Sequence, residues 1–208
     1  MKLLIDYQYI GTVNYYKMLF NAQYIEFEEY DYYQKGRIRN RMVIPGANGL
    51  ISLSVPLENG RDQKRLFKDL TIAYKDNWVL QHTRALDACY MRAPFYEFYR
   101  DELLAIYQKK HLLLMELNKE LVLWVLKKLK CKAEVTFSQS YQTATEDTII
   151  DGRNQYLPNQ SNLGLNIIKY DQVFEDRIGF QPNMSVVDLL FCMGPSAAGL
   201  LKDNESRF

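Results

Sequence analysis

The sequence predicts a single α/β (or α+β) domain with helices packed on a mixed sheet, and three features predict it. The chain opens on an apolar strand, Lys2–Tyr9, whose body is Leu3-Leu4-Ile5. A clean alternation follows at Leu50–Leu57, with Ile51, Leu53, Val55 and Leu57 on one face and Ser52 and Ser54 on the other. Three helical stripes then run in succession between residues 76 and 128. Strands followed by helices that can cover them are the ingredients of a layered fold. With 208 residues, no internal repeat and no linker, one core is expected over 1–208, with 196–208 as a frayed tail.

Gly11 and Thr12 end the first strand. Tyr15, Tyr16, Leu19 and Phe20 then recur at helical spacing through Asn14–Ala22. Tyr24–Tyr30 reads as a strand with Ile25 and Phe27 on one side and Glu26 and Glu28 on a wetter face. If these two strands are parallel, the crossover between them is right-handed. Arg41–Ile44, the turn Pro45–Gly49 and Leu50–Leu57 form a hairpin with a five-residue loop. Glu58–Lys64 is a polar loop and Leu70–Tyr74 a short strand.

Asp76 or Asn77 can cap a helix that carries Trp78, His82, Leu86, Cys89 and Tyr90 on one face. Pro94 suits the first turn of a second helix, continued by Phe95, Phe98, Leu103, Ile106 and Tyr107. The third, Leu112–Lys128, ends on lysines, which favour a helix C-terminus. Glu134–Ser140 is a strand, and Tyr141–Gly164 is irregular, a length that usually serves a function. Tyr170–Phe174 is helix or turn. Ser185-Val186-Val187-Asp188 has capping-box spacing before a helix that Gly194-Pro195 stops. That box accounts for Asp188 in full, so no catalytic role is assigned to it.

Composition excludes several classes. Net charge is +1 with both signs interspersed, so the phosphate-neutralising face of a nucleic-acid binder is missing. Three scattered cysteines lack metal-ligand spacing and read as buried thiols of a reducing, cytoplasmic compartment. The two histidines, His82 and His111, are too far apart for a helical metal pair, and no metal site is assigned. No apolar run approaches the roughly 20 residues that span a bilayer. Dinucleotide, Walker and nucleophile-elbow motifs are absent, and the sequence names no cofactor and no oligomeric state. Sixteen tyrosines stand out; a ring with a hydroxyl suits sugars, protein interfaces or core edges alike.

A few residues carry chemistry. His82 can act as a base near neutral pH, yet it lies on the apolar stripe between Trp78 and Leu86, where a hydrogen-bonded core histidine also fits. Asp6, at the end of the first strand, can orient a hydroxyl or amine, or cap the next turn. Arg39 and Arg41, two apart, share a face if extended and can clamp one anion with Asn40 beside them; the alternative is a solvated edge paired to Glu26, Glu28 or Glu29. Tyr7 and Tyr9 can stack on a sugar ring. Asn183 can brace a loop or touch a ligand. The ligand is placed where the first strand's end meets Arg37–Arg41, with Gly11 permitting close approach and His82 coming from the first middle helix.

Several ordered motifs resemble the WbqC-like family, in particular its Bacteroidetes-type branch. They are Tyr33-Gln34-Lys35 with Arg39-Asn40-Arg41, Pro45-Gly46-Ala47-Asn48-Gly49, Asn77-Trp78 with His82, Ala88-Cys89-Tyr90, and Ala93 to Tyr99. The longest is Gly179 to Phe191, closed by Gly194-Pro195. The resemblance implies a setting in O-antigen or capsule biosynthesis and a transferase that adds an acyl or aminoacyl group to an amino sugar. A nucleotide-linked amino sugar or an acyl donor would then be the partner, with His82 and Asp6 catalytic and Tyr7, Tyr9, Arg39, Asn40, Arg41 and Asn183 binding. The competing reading is a non-catalytic scaffold or regulator of polysaccharide assembly. The chain departs from the family at Asp6 to Gly11, which lacks the usual proline, and at Val79, where a basic residue is common.

Because no face concentrates cations, fluorescence anisotropy with short DNA or RNA is expected to show no salt-sensitive submicromolar binding.

Overall fold

The run Leu3-Leu4-Ile5 is apolar on both faces, which suits the middle of a parallel sheet rather than an edge. In the computed structural model, which describes residues 2–34, 36–59, 64–143, 148–155 and 167–202, it takes that place. Strand β1 (Lys2–Asp6) lies between β2 (Tyr24–Glu28) and β6 (Ile149–Asp151), and β5 (Glu134–Phe137) completes the order β5-β2-β1-β6. Every pairing in this sheet is parallel, with Asp6 opposite Glu28 at the carboxyl end. Helix α1 (Val13–Asn21) connects β1 to β2 and is capped by Thr12, whose hydroxyl accepts from the Tyr15 N–H.

Antiparallel pairing belongs to a separate hairpin, β3 (Arg41–Gly46) with β4 (Gly49–Ser54). The domain thus combines both kinds of strand pairing with packed helices, an α/β arrangement. The hairpin loop is shorter than the five residues expected. Pro45 pairs with Leu50 and Gly46 with Gly49, so only Ala47 and Asn48 turn, with Gly49 at a φ of +128°. Pro45 stays in a strand because a two-stranded hairpin leaves an edge where no N–H is needed.

Helices α2 (Trp78–Tyr90), α3 (Tyr96–Gln108) and α4 (Leu114–Lys128) form the helical middle. The side chain of Asn77 caps α2 through the Leu80 N–H, and the buried stripe of α2 is Trp78, His82, Leu86, Cys89 and Tyr90, as its periodicity predicts. A four-residue helix α5 (Glu175–Ile178) precedes α6 (Val186–Met193), in which every residue from Val186 to Cys192 is buried. A helix apolar on every side but for Asp188 belongs in a core, and α6 touches both α1 and α3.

Four expectations change. The stretch 70–74 makes isolated bridges, Leu57 to Ile72 and Thr71 to Leu113, in place of a ladder. The 141–164 stretch contains β6, which completes the sheet; its residues 144–147 and 156–164 lie outside those described, as do 60–63 of the polar loop. The capping box does not form: Ser185 Oγ donates to the Ile10 carbonyl, and Asp188 turns inward. The tail does not fray from 196, since α7 (Ala197–Leu201) buries Ala197 and Leu201 against the core, whereas 203–208 lie outside the described residues. Among the described residues, no helix is long and apolar enough to cross a membrane.

Gly194 ends α6 at φ +52° and ψ −129°, a conformation that glycine alone adopts readily. A Cβ there would sit 2.4 Å from the Phe95 ring, which is held close because the Phe95 N–H donates to the Phe191 carbonyl. Gly194→Ala is therefore expected to lower stability by about 2 kcal/mol or more in urea denaturation, since backbone strain and overpacking add.

Candidate functional site at the carboxyl edge of the parallel sheet

In open α/β sheets the crevice for a ligand lies beyond the carboxyl ends of the strands. Here the strands deliver carboxylates to that edge: Asp6 ends β1, Glu28 ends β2, Asp151 ends β6, and Asp31 follows β2 by three residues. Two arginines meet them. Arg39 comes from the turn before β3 and Arg153 from the turn after β6.

Arg39 has no exposed surface. Its Nη2 donates to Asp31 Oδ2 in a short contact, and its Nε lies 3.5 Å from Asp6 Oδ2. The guanidinium sits over the Phe67 ring at 5.2 Å, and Asn118 of α4 donates to the Arg39 carbonyl at 2.7 Å. Arg39 Nε and Nη1 make no hydrogen bond despite their burial. Asp6 accepts the Asn154 N–H at 3.0 Å. Burial pushes the Asp6 carboxyl above its ordinary range, against the pull of Arg39.

Glu28, expected on a wet face, is wholly buried because donors surround it. Its Oε1 accepts from the Tyr30 N–H and from Ser138 Oγ, each at 2.9 Å. Its Oε2 accepts from the Gln142 N–H at 2.8 Å and from Arg153 Nη1 at 3.3 Å. Arg153 also grips Asp151 with two parallel bonds of 2.9 and 2.7 Å, the bidentate geometry that guanidinium favours. Four carboxylates therefore share two guanidiniums, and the edge is acidic on balance. Such a site attracts a cation, and Asp6, with its raised pKa, is suited to exchange a proton.

The residues predicted from sequence divide. Asp6 and Arg39 do meet. Arg41 does not join Arg39 on one face, because the chain turns before β3 begins at Arg41; its Nη2 reaches the Gly36 carbonyl at 3.5 Å. Asn40 is tied to the hairpin, donating to the Val55 carbonyl at 2.9 Å. Tyr7 is buried between Phe27 and Phe67, with ring centroids at 4.6 and 5.9 Å, and donates to Glu29. Tyr9 is equally buried, and its N–H bonds the Ile38 carbonyl at 3.0 Å, so neither ring has an open face for a sugar. Asn183, at φ +54°, accepts the Asn14 N–H at the head of α1. Gly11 is crowded by its own neighbours: a Cβ there would lie 2.6 Å from Gln8 Oε1 and 2.7 Å from the Tyr15 ring.

His82 lies among Trp78, Tyr107 and Tyr9, 2.8 Å from the Tyr9 hydroxyl, which also bonds Tyr107 at 2.7 Å. Burial lowers its pKa to about 4 although a backbone hydrogen bond at Ser54 opposes the shift. Its neutral ring therefore braces the first strand's extension against α2 and α3.

The residues that sequence reasoning missed are Glu28, Asp31, Asp151 and Arg153. Only the Asp151-Gly152-Arg153 run carried a signal, an acid and a base flanking a glycine. Among the described residues, no group of three or more His, Cys, Asp or Glu is placed to hold a metal ion.

Residues 8–164 match the model of the WbqC-like protein family. No curated protein and no solved structure matches the chain. The Gly179–Phe191 run lies beyond the matched range.

His82 binds a proton near pH 6.5 when unfolded and only near pH 4 when folded, so between these values the unfolded state holds more protons. Stability from this group is full above pH 6.5 and is lost as pH falls, by about 3 kcal/mol at most. Asp6 and Asp188, with raised pKa values, contribute in the opposite direction. Urea denaturation between pH 7 and pH 4 is expected to show a shallower loss in His82→Gln than in the wild type.

Proposed function

The chain belongs to the WbqC-like protein family, and from that premise we propose that it is a cytoplasmic transferase of surface-polysaccharide biosynthesis that adds an acyl or aminoacyl group to an amino sugar. Within the family we assign it to the Bacteroidetes-type branch, on the Gly179–Phe191 run. The observation that carries the reading is the acidic carboxyl edge of the parallel sheet. An amino sugar presents an ammonium group, and the edge offers carboxylates in excess of its arginines.

Asp151 is the partly exposed carboxylate of the cluster, and with Asp31, whose side chain keeps 13% of its surface, it takes the ammonium first. Asp6 lies behind them through Arg39 and serves as the base. The ammonium first loses one proton to solvent, and Asp6 accepts a second as the resulting amine nitrogen forms its bond to the acyl carbon. The bond from that carbon to its carrier breaks, and the proton leaves with the carrier group. Arg37, half-buried beside Asn154, whose carbonyl accepts from its Nη1 at 3.3 Å, stands at the same edge and faces the anionic nucleotide part. Arg39 acts by holding Asp6 and Asp31 in place.

The scaffold reading relies on tyrosines as interface anchors. Ten of the sixteen are used inside the molecule: Tyr7, Tyr9, Tyr15, Tyr16, Tyr90, Tyr96 and Tyr107 are at most 1% exposed, and Tyr33, Tyr99 and Tyr170 at most 8%. That observation favours the enzyme.

The test is calorimetry with nucleotide-linked amino sugars, followed by mass spectrometry of the amide product with a panel of acyl and aminoacyl donors. Asp6→Asn is expected to bind the sugar and to lose about 10²–10⁴ in turnover, the usual range for a general base. Asp31→Asn is expected to weaken sugar binding by about tenfold. Wild-type behaviour in both variants, with the fold intact by circular dichroism, would remove this edge from the reaction.

A further inference from the structure

A cavity of about 620 Å³ opens where the C-terminal ends of α2 and α6 meet the 171–177 segment. No residue of the sheet edge lines it. Its size falls within the roughly 300–1,000 Å³ of ordinary small-molecule sites. The lining combines an apolar part, including Pro94, Val173, Phe174 and Met193, with two guanidiniums, Arg92 and Arg177, and two carboxylates, Asp171 and Asp176. All four charged residues are exposed, and among the described residues no ion pair joins any of them. Both signs of charge therefore remain available to a ligand in one hollow.

The wall is built in advance. Gln172 accepts the Gln181 N–H at 2.7 Å and donates to the Gln181 carbonyl at 2.9 Å and to Asp188 Oδ2 at 2.8 Å. Asp188, with no exposed surface, also accepts from Tyr170 at 2.7 Å and from Tyr90 of α2 at 2.8 Å. These bonds fix the 170–172 segment to α2 and α6, the elements that form the other sides of the cavity. A ligand entering it has little protein to order, which lowers the entropy cost of binding.

We infer that this cavity is a binding site for a zwitterionic small molecule with a short apolar body, of the free amino-acid or short-peptide class. An anion alone would meet two carboxylates there, and a cation alone two guanidiniums; a molecule that carries both charges satisfies both pairs. The apolar lining takes the side chain. The two thiols of the lining, Cys89 and Cys192, are held protonated by burial, which raises both and brings Cys192 to about 12, so they act as part of the wall. The site is separate from the sheet edge and stands whether or not the amino-sugar reading holds.

The experiment is calorimetry on the whole chain with four probes: L-leucine, glycyl-L-leucine, and the charge-blocked N-acetyl-L-leucine and L-leucinamide. At least one of the two zwitterions is expected to bind, and both blocked forms to bind about tenfold more weakly or not at all, as for loss of a charge contact. Binding of L-leucine alone identifies the free amino acid, and binding of glycyl-L-leucine identifies the peptide. The double variant Arg92→Gln/Arg177→Gln is expected to weaken the zwitterion about tenfold and leave L-leucinamide unchanged. Asp171→Asn/Asp176→Asn is expected to weaken the zwitterion equally and leave N-acetyl-L-leucine unchanged. All four positions are on the surface, so the variants should fold, and circular dichroism checks this. Amino-sugar binding at the sheet edge should be unaffected in them, which separates failure of one site from failure of the other. The inference is overturned if neither zwitterion binds at millimolar concentration, if the blocked forms bind as well as the zwitterions, or if the variants match the wild type.

Discussion

The fold depends on placing one arginine where no water reaches it. Arg39 draws Asp6 from the end of β1 and Asp31 from beyond β2, and its own carbonyl is held by Asn118 of α4. The turn at 38–40 is therefore fixed to the sheet, to the chain after β2 and to the helical layer at once. The hairpin starts from that turn, since β3 begins at Arg41 and Asn40 donates to Val55 just past β4. Removing one partner from a buried ionic cluster leaves an uncompensated charge, a loss of about 3–5 kcal/mol. Two carboxylates without their guanidinium would be worse placed still, because like charges in a low dielectric repel.

A second buried carboxylate does the same work at the other end of the chain. Asp188 gathers Tyr90, Tyr170 and Gln172, and through them α2, the 170–172 segment and α6. Burial raises its pKa while the three donors oppose the shift. The two clusters differ in what they leave open. Around Asp188 the neighbouring polar groups are neutral donors, and the arrangement closes on itself. Around Arg39 two guanidinium nitrogens and the Asn154 side-chain oxygen are left without hydrogen bonds. A buried polar group without a partner costs stability, so this strand edge gives up stability that the Asp188 cluster keeps.

This contrast explains what could be read from the sequence. A short apolar run exposed β1, and periodicity exposed β4 and the stripe of α2, where each residue's face is set by its spacing. Asp6 and Arg39 were also within reach, one as a polar residue closing an apolar strand and the other as part of a basic segment. Depth was not within reach. Glu28 looks wet by alternation, and it is dry because Ser138, Gln142 and Arg153, each more than 100 residues away, supply its donors. The spacing from Ser185 to Asp188 matched a capping box, but the Asp188 carboxylate instead takes the hydroxyls of Tyr90 and Tyr170, two donors brought from distant segments, while Ser185 Oγ donates to the Ile10 carbonyl. β6 was hidden because three residues are too few to show a period, and its place is set by β1 beside it.

His82 shows how the same side chain changes meaning with depth. Its spacing from Trp78 and Leu86 gives it a face, and on that face it meets hydroxyls in place of solvent. With its pKa lowered to about 4, the ring is neutral at physiological pH and its nitrogens are occupied by Tyr9 and the backbone at Ser54. Asp6 is shifted in the opposite direction by the same burial. Desolvation disfavours the charged form of either group, so it keeps an imidazole neutral and makes a carboxylate more basic. Burial thus weakens histidine as a base and strengthens aspartate as one. Of the two, Asp6 is accordingly the better base, and it stands at the end of β1 beside the Arg39 guanidinium that also holds Asp31.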